Sequence, residues 1–261
     1  MRQVLRGWAV QKRVLGALFM REIQTRWGRK NLGFAWLFFE PLIFAFPVLA
    51  MWSALRAPFE HGMALMPFLW SGYLPLLLFR HVTGHAMRAV SVNGALLYHQ
   101  VITPLDVIVG RCGLEAMGNL AAIAFSFFVF YMLGVVDWPV NVPLFMMGNL
   151  FMAWWAFAVA LIVAAASERT EIVEHVWPPI SYMYMPISGF FFLAEWIPTP
   201  VRKVALTVMP SIHAYEMIRG GLFGSRIQVF YDTKYLAEVL AVLTLIGLWL
   251  VRDVRYYLEL E

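Results

Sequence analysis

Apolar stretches long enough to cross a bilayer recur along this chain, and they constrain its fold more than any other feature. A crossing helix needs about 20 mostly apolar residues for ~30 Å of hydrocarbon. Six such segments are expected: about Leu32–Leu55, Met63–Phe79, Asp106–Val135, Val140–Ala166, Ile172–Leu193 and Tyr235–Val251. Composition agrees: 61% of the 261 residues are hydrophobic, 14% are charged, and the mean hydropathy is +0.69. Soluble domains carry roughly 25% charged residues, so lipid must solvate much of this surface. The expectation is an all-α integral membrane protein, a single transmembrane domain over residues 1–261.

Lysine and arginine placement orients the spans, because loops rich in them stay on the cytoplasmic side. With both termini inside, fourteen basic residues fall on that side and six on the other. The last external loop is long, where the rule weakens, so both termini read as cytoplasmic. No cleavable signal is expected, since residues 1–30 hold eight basic residues and no continuous apolar core. The net charge of +4 comes mostly from this segment and bears on topology, not on nucleic acid.

Three regions are not simple spans. In residues 1–30, Val4, Trp8, Leu15, Leu18, Phe19 and Ile23 alternate with basic residues near helical spacing, the pattern of an amphipathic helix lying in the headgroup layer. Between Arg80 and Asp106, short cytoplasmic helices with an apolar tip at Leu96, Leu97 and Tyr98 are expected, and an apolar tip in water calls for a protein partner. Residues 194–234 hold Pro198, Pro200 and Pro210 and apolar pieces too short to cross. They read either as re-entrant helices or as a folded external loop, the former tolerated only where protein or water covers freed backbone. Glu216 and Arg219 are spaced to pair there on one helix face.

Charges inside spans mark bundle interiors or cavities. Arg111 and Glu115, four apart, are expected to satisfy each other, which leaves Glu40, before Pro41, as the functional candidate. Aromatics are dense in the first span (Phe34, Trp36, Phe38, Phe39, Phe44) and the fifth (Tyr182, Tyr184, Phe190). They suit either stacking on sugar rings or packing against lipid. His81 and His85 share a helical face without the glutamate of a zinc-protease motif, and the single cysteine, Cys112, reads as packing. No phosphate-cradling G-x-x-x-x-G-K-[ST] segment occurs, and no catalytic constellation is readable.

The run Leu18–Leu42, LFMREIQTRWGRKNLGFAWLFFEPL, resembles the opening of ABC-2 type polysaccharide export permeases, where a basic RE-x-x-x-R-[YW] segment leads through glycine into a span bearing W…EP. The tail Arg252–Leu260 is similar to that family's short cytoplasmic terminus. The likeness covers essentially the whole chain and is strongest to the capsular polysaccharide (KpsM-type) branch. O-antigen, teichoic acid and small hydrophobic substrates are the alternatives within the family; a lipid-linked-sugar enzyme and a membrane scaffold lie outside it.

The resemblance implies a homodimer of six-span subunits in the bacterial inner membrane. Two separate ABC nucleotide-binding subunits would hold ATP and Mg, leaving this chain non-catalytic with no cofactor or metal of its own. A periplasmic adaptor (polysaccharide co-polymerase) and an outer-membrane channel would continue the path, and the substrate would be lipid-linked polysaccharide. It also implies site roles. Arg88, Asn93, Leu96, Leu97 and Tyr98 would couple to the ATPase subunit. Arg21, Arg26, Arg29 and Lys30 would receive the lipid anchor at a gate. Phe34, Trp36, Phe38, Phe39, Glu40, Phe44, Tyr182, Tyr184 and Phe190 would line the conduit, closed externally by re-entrant helices within 194–234.

Overall fold

A computed structural model describes residues 12–14, 16–23, 32–55, 59–60, 63–97 and 102–254. The architecture is helical. Residues 12–14 and 16–23 are helical, the latter designated α1, and α2 follows over Leu32–Leu55. A two-residue hairpin pairs β1 (Phe59–Glu60) with β2 (Met63–Ala64) antiparallel. Then come α3 (Leu65–Ala86), α4 (Ala89–Val92), α5 (Gly94–Leu97), α6 (Pro104–Met132) and α7 (Val142–Ser167). The chain ends with α8 (Ile172–Met183), α9 (Thr199–Val208), α10 (Pro210–Phe223) and α11 (Thr233–Arg252).

Local chemistry sets the helix starts. Thr103 caps α6 in a reciprocal box with Asp106: the Asp106 amide donates to Thr103 Oγ1 and the Thr103 amide donates to Asp106 Oδ2. Pro104 occupies the first turn, where its missing N–H costs nothing. Asn141 Oδ1 accepts from the Leu144 amide to start α7, and Asp232 Oδ1 accepts from the Tyr235 amide to start α11. Among the described residues, α6, α7 and α11 are long and apolar enough to cross a membrane.

The helices differ in what surrounds them. In α3, 17 of 22 residues are buried, so it is enclosed by protein rather than by lipid. In α2, Leu42, Ala45 and Leu49 face the bundle at helical spacing, while Trp36, Phe39, Ile43 and Phe44 are exposed on the other side. Helix α7 is the hub on which α3, α10 and α11 pack, and its wall of Ala156, Ala160, Ala164 and Ala165 is fully buried. Between lipid-embedded helices apolar burial gives little drive, so close approach through small residues supplies the contact.

The expected fifth span does not run as one helix. Over 172–193 the α-helix stops at Met183 after 12 residues, about 18 Å at 1.5 Å per residue. It contains Pro178 and Pro179, continues as a 3₁₀ turn over Met185–Ile187, and leaves regular structure by Gly189, whose φ is +102°. Prolines remove donors from the ladder and bend the chain, and Gly189 takes a backbone that a side chain disfavours.

The tightest helix crossing is α7 against α10. A Cβ on Gly221 would lie 2.4 Å from the backbone nitrogen of Phe145. Gly221→Val should therefore force the two helices apart, destabilising the chain by about 1–3 kcal/mol. Thermal unfolding in detergent checks this; an unchanged midpoint would show that α7 and α10 do not meet there.

Candidate functional site

Three constellations bring polar or aromatic side chains together. The first lies at the hairpin end of the bundle, where α10 holds the irregular chain before and after it. Arg219 is fully buried. Its guanidinium donates to the carbonyls of Gly189 (2.7 Å), Phe192 (2.5 Å) and Phe190, and sits 4.1 Å over the ring of Phe68. Glu216, one turn earlier, accepts from the Ala194 amide through Oε1 and from the Phe230 amide through Oε2, both at 2.9 Å.

A turn earlier again, His213 Nε2 donates to the Leu206 carbonyl and Nδ1 accepts from the Asp232 amide. Ser211 donates to the Ser188 carbonyl, and Tyr215 reaches across to the carbonyl of Gly72 in α3. The expected Glu216–Arg219 contact is thus replaced: each charge serves main-chain groups that have left regular structure. A planar guanidinium presents its donors in a fork that fits several carbonyls at once.

The second constellation lies at the opposite end, where α1 packs on the start of α6. Leu18 is buried against the Gly110 surface, and Phe19 lies beside Gly113. Arg111 donates to Glu22 at 2.7 Å, and Glu115 sits 3.4 Å from His85 Nδ1, in place of the expected Arg111–Glu115 pair. His81 Nδ1 meets Asn119 Oδ1 at 3.1 Å, which gives both histidines hydrogen-bonding partners in the bundle. Among the described residues no group of three His, Cys, Asp or Glu could hold a metal, and Cys112 is a buried free thiol.

Of the residues expected to meet the ATPase subunit, Arg88 pairs with Glu174 at the start of α8, and both are accessible. Asn93 is buried, bonded to Arg21 and Glu22 of α1. Leu97 is half-buried; Leu96 lies in α5. The side chain of Leu96, and all of Tyr98, lie outside the described residues. Of the expected anchor-binding set, Arg21 is exposed and donates to Asn93 at 2.8 Å. Arg26, Arg29 and Lys30 lie outside the described residues.

The third constellation is aromatic, and it divides the nine expected conduit residues. Trp36, Phe39 and Phe44 are exposed on α2, with Phe39 edge-on to Phe125 of α6 at 5.7 Å. Glu40 is half-buried beside them. Phe34 and Phe38 belong to α2, but their side chains lie outside the described residues. Tyr182 is exposed with the Arg80 guanidinium 3.6 Å over its ring. Tyr184 packs on Phe79 and accepts from Trp155 Nε1. Phe190 is buried among Phe191, Trp52 and Tyr73. Within one chain, then, Phe190 and Tyr184 are packing residues, while α2 and Tyr182 offer accessible rings.

Arg219 and Glu216 escaped the sequence reading as main-chain clamps, because their partners lie 14 to 30 residues away. The proline-broken stretch before α10 was the one available signal.

The fold and these constellations define a multi-helix membrane protein with a stretch of irregular chain held inside its bundle. The chain belongs to the ABC-2 type transporter family, whose model matches residues 13–223. It is similar to the capsule polysaccharide export inner-membrane protein BexB of Haemophilus influenzae, at 36% identity over 94% of this chain and 92% of the relative. It is likewise similar to CtrC of Neisseria meningitidis serogroup B, also a capsule polysaccharide export inner-membrane protein, at 36% over 93% and 91%. The polysialic acid transport protein KpsM of Escherichia coli matches at 25% over 94% and 95%.

Arg219→Met keeps the side-chain bulk but removes the donors, leaving three carbonyls without them. It should destabilise the chain by about 3–5 kcal/mol, the usual effect of breaking a buried charged network. Arg219→Lys should recover only part of this, since an ammonium lacks the fork. Thermal unfolding in detergent measures both; full recovery by lysine would contradict the clamp.

Proposed function

We propose that this chain is the membrane permease subunit of an ATP-driven exporter that carries lipid-linked capsular polysaccharide across the bacterial inner membrane. The observation that carries the reading is similarity over more than nine-tenths of its length to proteins of capsule polysaccharide export. ATP and Mg would sit on two copies of a separate nucleotide-binding subunit, so the permease is not itself an enzyme. Two permeases would form the pore, with a periplasmic adaptor and an outer-membrane channel beyond.

In this reading α2, α3, α6, α7, α8 with its 3₁₀ continuation, and α11 make six crossings, with both termini cytoplasmic. Helices α9 and α10 form the re-entrant cap at the external end. The accessible rings of Trp36, Phe39, Phe44 and Tyr182 support a conduit role, since an aromatic face gives a sliding sugar contact area without fixing a register. Across a dimer, α2 of each subunit could contribute such a wall. Arg26 and Arg29, with Arg21 and Lys30, would receive the anionic head of the lipid anchor, for which an arginine fork suits phosphate oxygens. The turn at α4 and α5 would dock on the nucleotide-binding subunit.

Vesicles carrying this chain with its nucleotide-binding partner should move lipid-linked capsular polymer to the far side only when ATP is supplied. Replacing Arg26 and Arg29 together with alanine should lower that transfer about tenfold while membrane insertion stays intact. Transfer without ATP would contradict the exporter reading, and wild-type transfer by the double variant would remove the gate role.

A further inference from the structure

Asn93 stands between the two shortest helices, α4 and α5, and is 2% exposed. Its neighbours on the turn face outward: Ser91, Val92 and Gly94 are all exposed. The Asn93 amide instead points inward and uses its full donor capacity. Oδ1 accepts from Arg21 Nη1 at 2.8 Å, and Nδ2 donates to Glu22 Oε1 at 3.2 Å and to the Ala89 carbonyl at 2.9 Å. A reversed amide would set its donors against the arginine and its oxygen against the carboxylate, so the Arg21–Glu22 pair recognises one orientation only.

Glu22 then uses its second oxygen, Oε2, to accept from Arg111 Nη1 at 2.7 Å. One carboxylate therefore ties α1 both to the α4–α5 turn and to α6, over sequence separations of 71 and 89 residues. The Glu22 and Arg111 side chains are only 12% and 16% exposed. Charge-assisted bonds with little water access hold their geometry better than exposed ones. Ala89 and Val90 of α4 also pack into the core, whereas the turn's other charged tie among the described residues, Arg88 to Glu174, has side chains 61% and 27% exposed, the class of pair that contributes least. Of the two charged routes, the one through Asn93 and Glu22 is the more buried.

We infer that Arg21, Glu22, Asn93 and Arg111 form a latch that passes motion of the α4–α5 turn to α1. The inference rests on the exporter reading for what moves the turn. A partner pressing on Ser91 and Val92 displaces Asn93, and the amide carries Arg21 and Glu22 with it. Arg21 is accordingly also a positioning residue: Nη1 links α1 to the turn, in addition to the anchor-receiving role proposed above. The Arg-Glu pair of the N-terminal motif thus has a mechanical task, while Arg26 and Arg29 keep the electrostatic one.

The test uses the full chain with its nucleotide-binding partner, reading ATP hydrolysis, polymer transfer, and the distance between spin labels at Met20 on α1 and Val92 on α4, both exposed. Glu22→Ala should broaden the label distance distribution and lower transfer about tenfold while hydrolysis continues. Adding Asn93→Ala to it should cause no further loss, because the two act as one unit. Glu22→Gln, which keeps the shape and removes the charge facing Arg111, should fall between and covers the case where alanine impairs folding. An unchanged distance distribution, wild-type transfer, or hydrolysis falling in step with transfer would overturn the latch. A wild-type complex without ATP-driven transfer would overturn the exporter reading and the coupling role with it, leaving the label distances to report on the latch contacts alone.

Discussion

Main chain that leaves regular helix in an apolar surround must find its hydrogen-bond partners within the protein, and here α10 provides them. Arg219 takes the carbonyls of residues 189, 190 and 192, and Glu216 takes the amides of 194 and 230. His213 and Ser211 extend the same service to residues 188, 206 and 232. An unsatisfied main-chain group in hydrocarbon costs several kcal/mol, so the break after Met183 and the approach to α11 both depend on this one helix. The two opposite charges also lie one turn apart on α10, which limits the penalty of burying either.

That clamp explains why the surrounding packing is so close. For α10 to reach both segments it must sit deep against α7, and Gly148 and Gly221 permit this: a Cβ on Gly148 would fall 2.7 Å from the Ile218 nitrogen. Helix α3 passes behind, with Phe68 under the guanidinium and Gly72 accepting from Tyr215. The enclosed α3, the alanine wall of α7 and the buried polar face of α10 are thus consequences of holding irregular chain inside a helical bundle. At the other end Glu22 applies the same chemistry to α1, bonding to Asn93 and Arg111.

Much of this was legible where the signal is local. The limits of α2 follow from its apolar run, and the apolar runs place the starts of α6, α7 and α11 within two residues; the caps Thr103, Asn141 and Asp232 that fix those starts went unread. Local rules failed where a distant group competed. Arg111 and Glu115 have ideal spacing for an i,i+4 pair, which is worth only about 0.2–0.5 kcal/mol, and each found a better-placed partner on another element. The same happened to Glu216 and Arg219. The apolar run over 172–193 hid a break, since hydropathy does not register the carbonyls that Arg219 captures. The aromatic residues show the remaining limit: composition cannot distinguish Phe190, buried on its neighbours, from Trp36, which is exposed.

Outward transfer of capsular polysaccharide is the function proposed for this chain. Where the polymer resides after the gene is deleted from its own host tests that most directly. Polymer should accumulate inside the cell, with surface polymer restored by the intact gene. Normal surface polymer in the deletion strain would contradict it, and polymer missing from both places would point to biosynthesis instead of export.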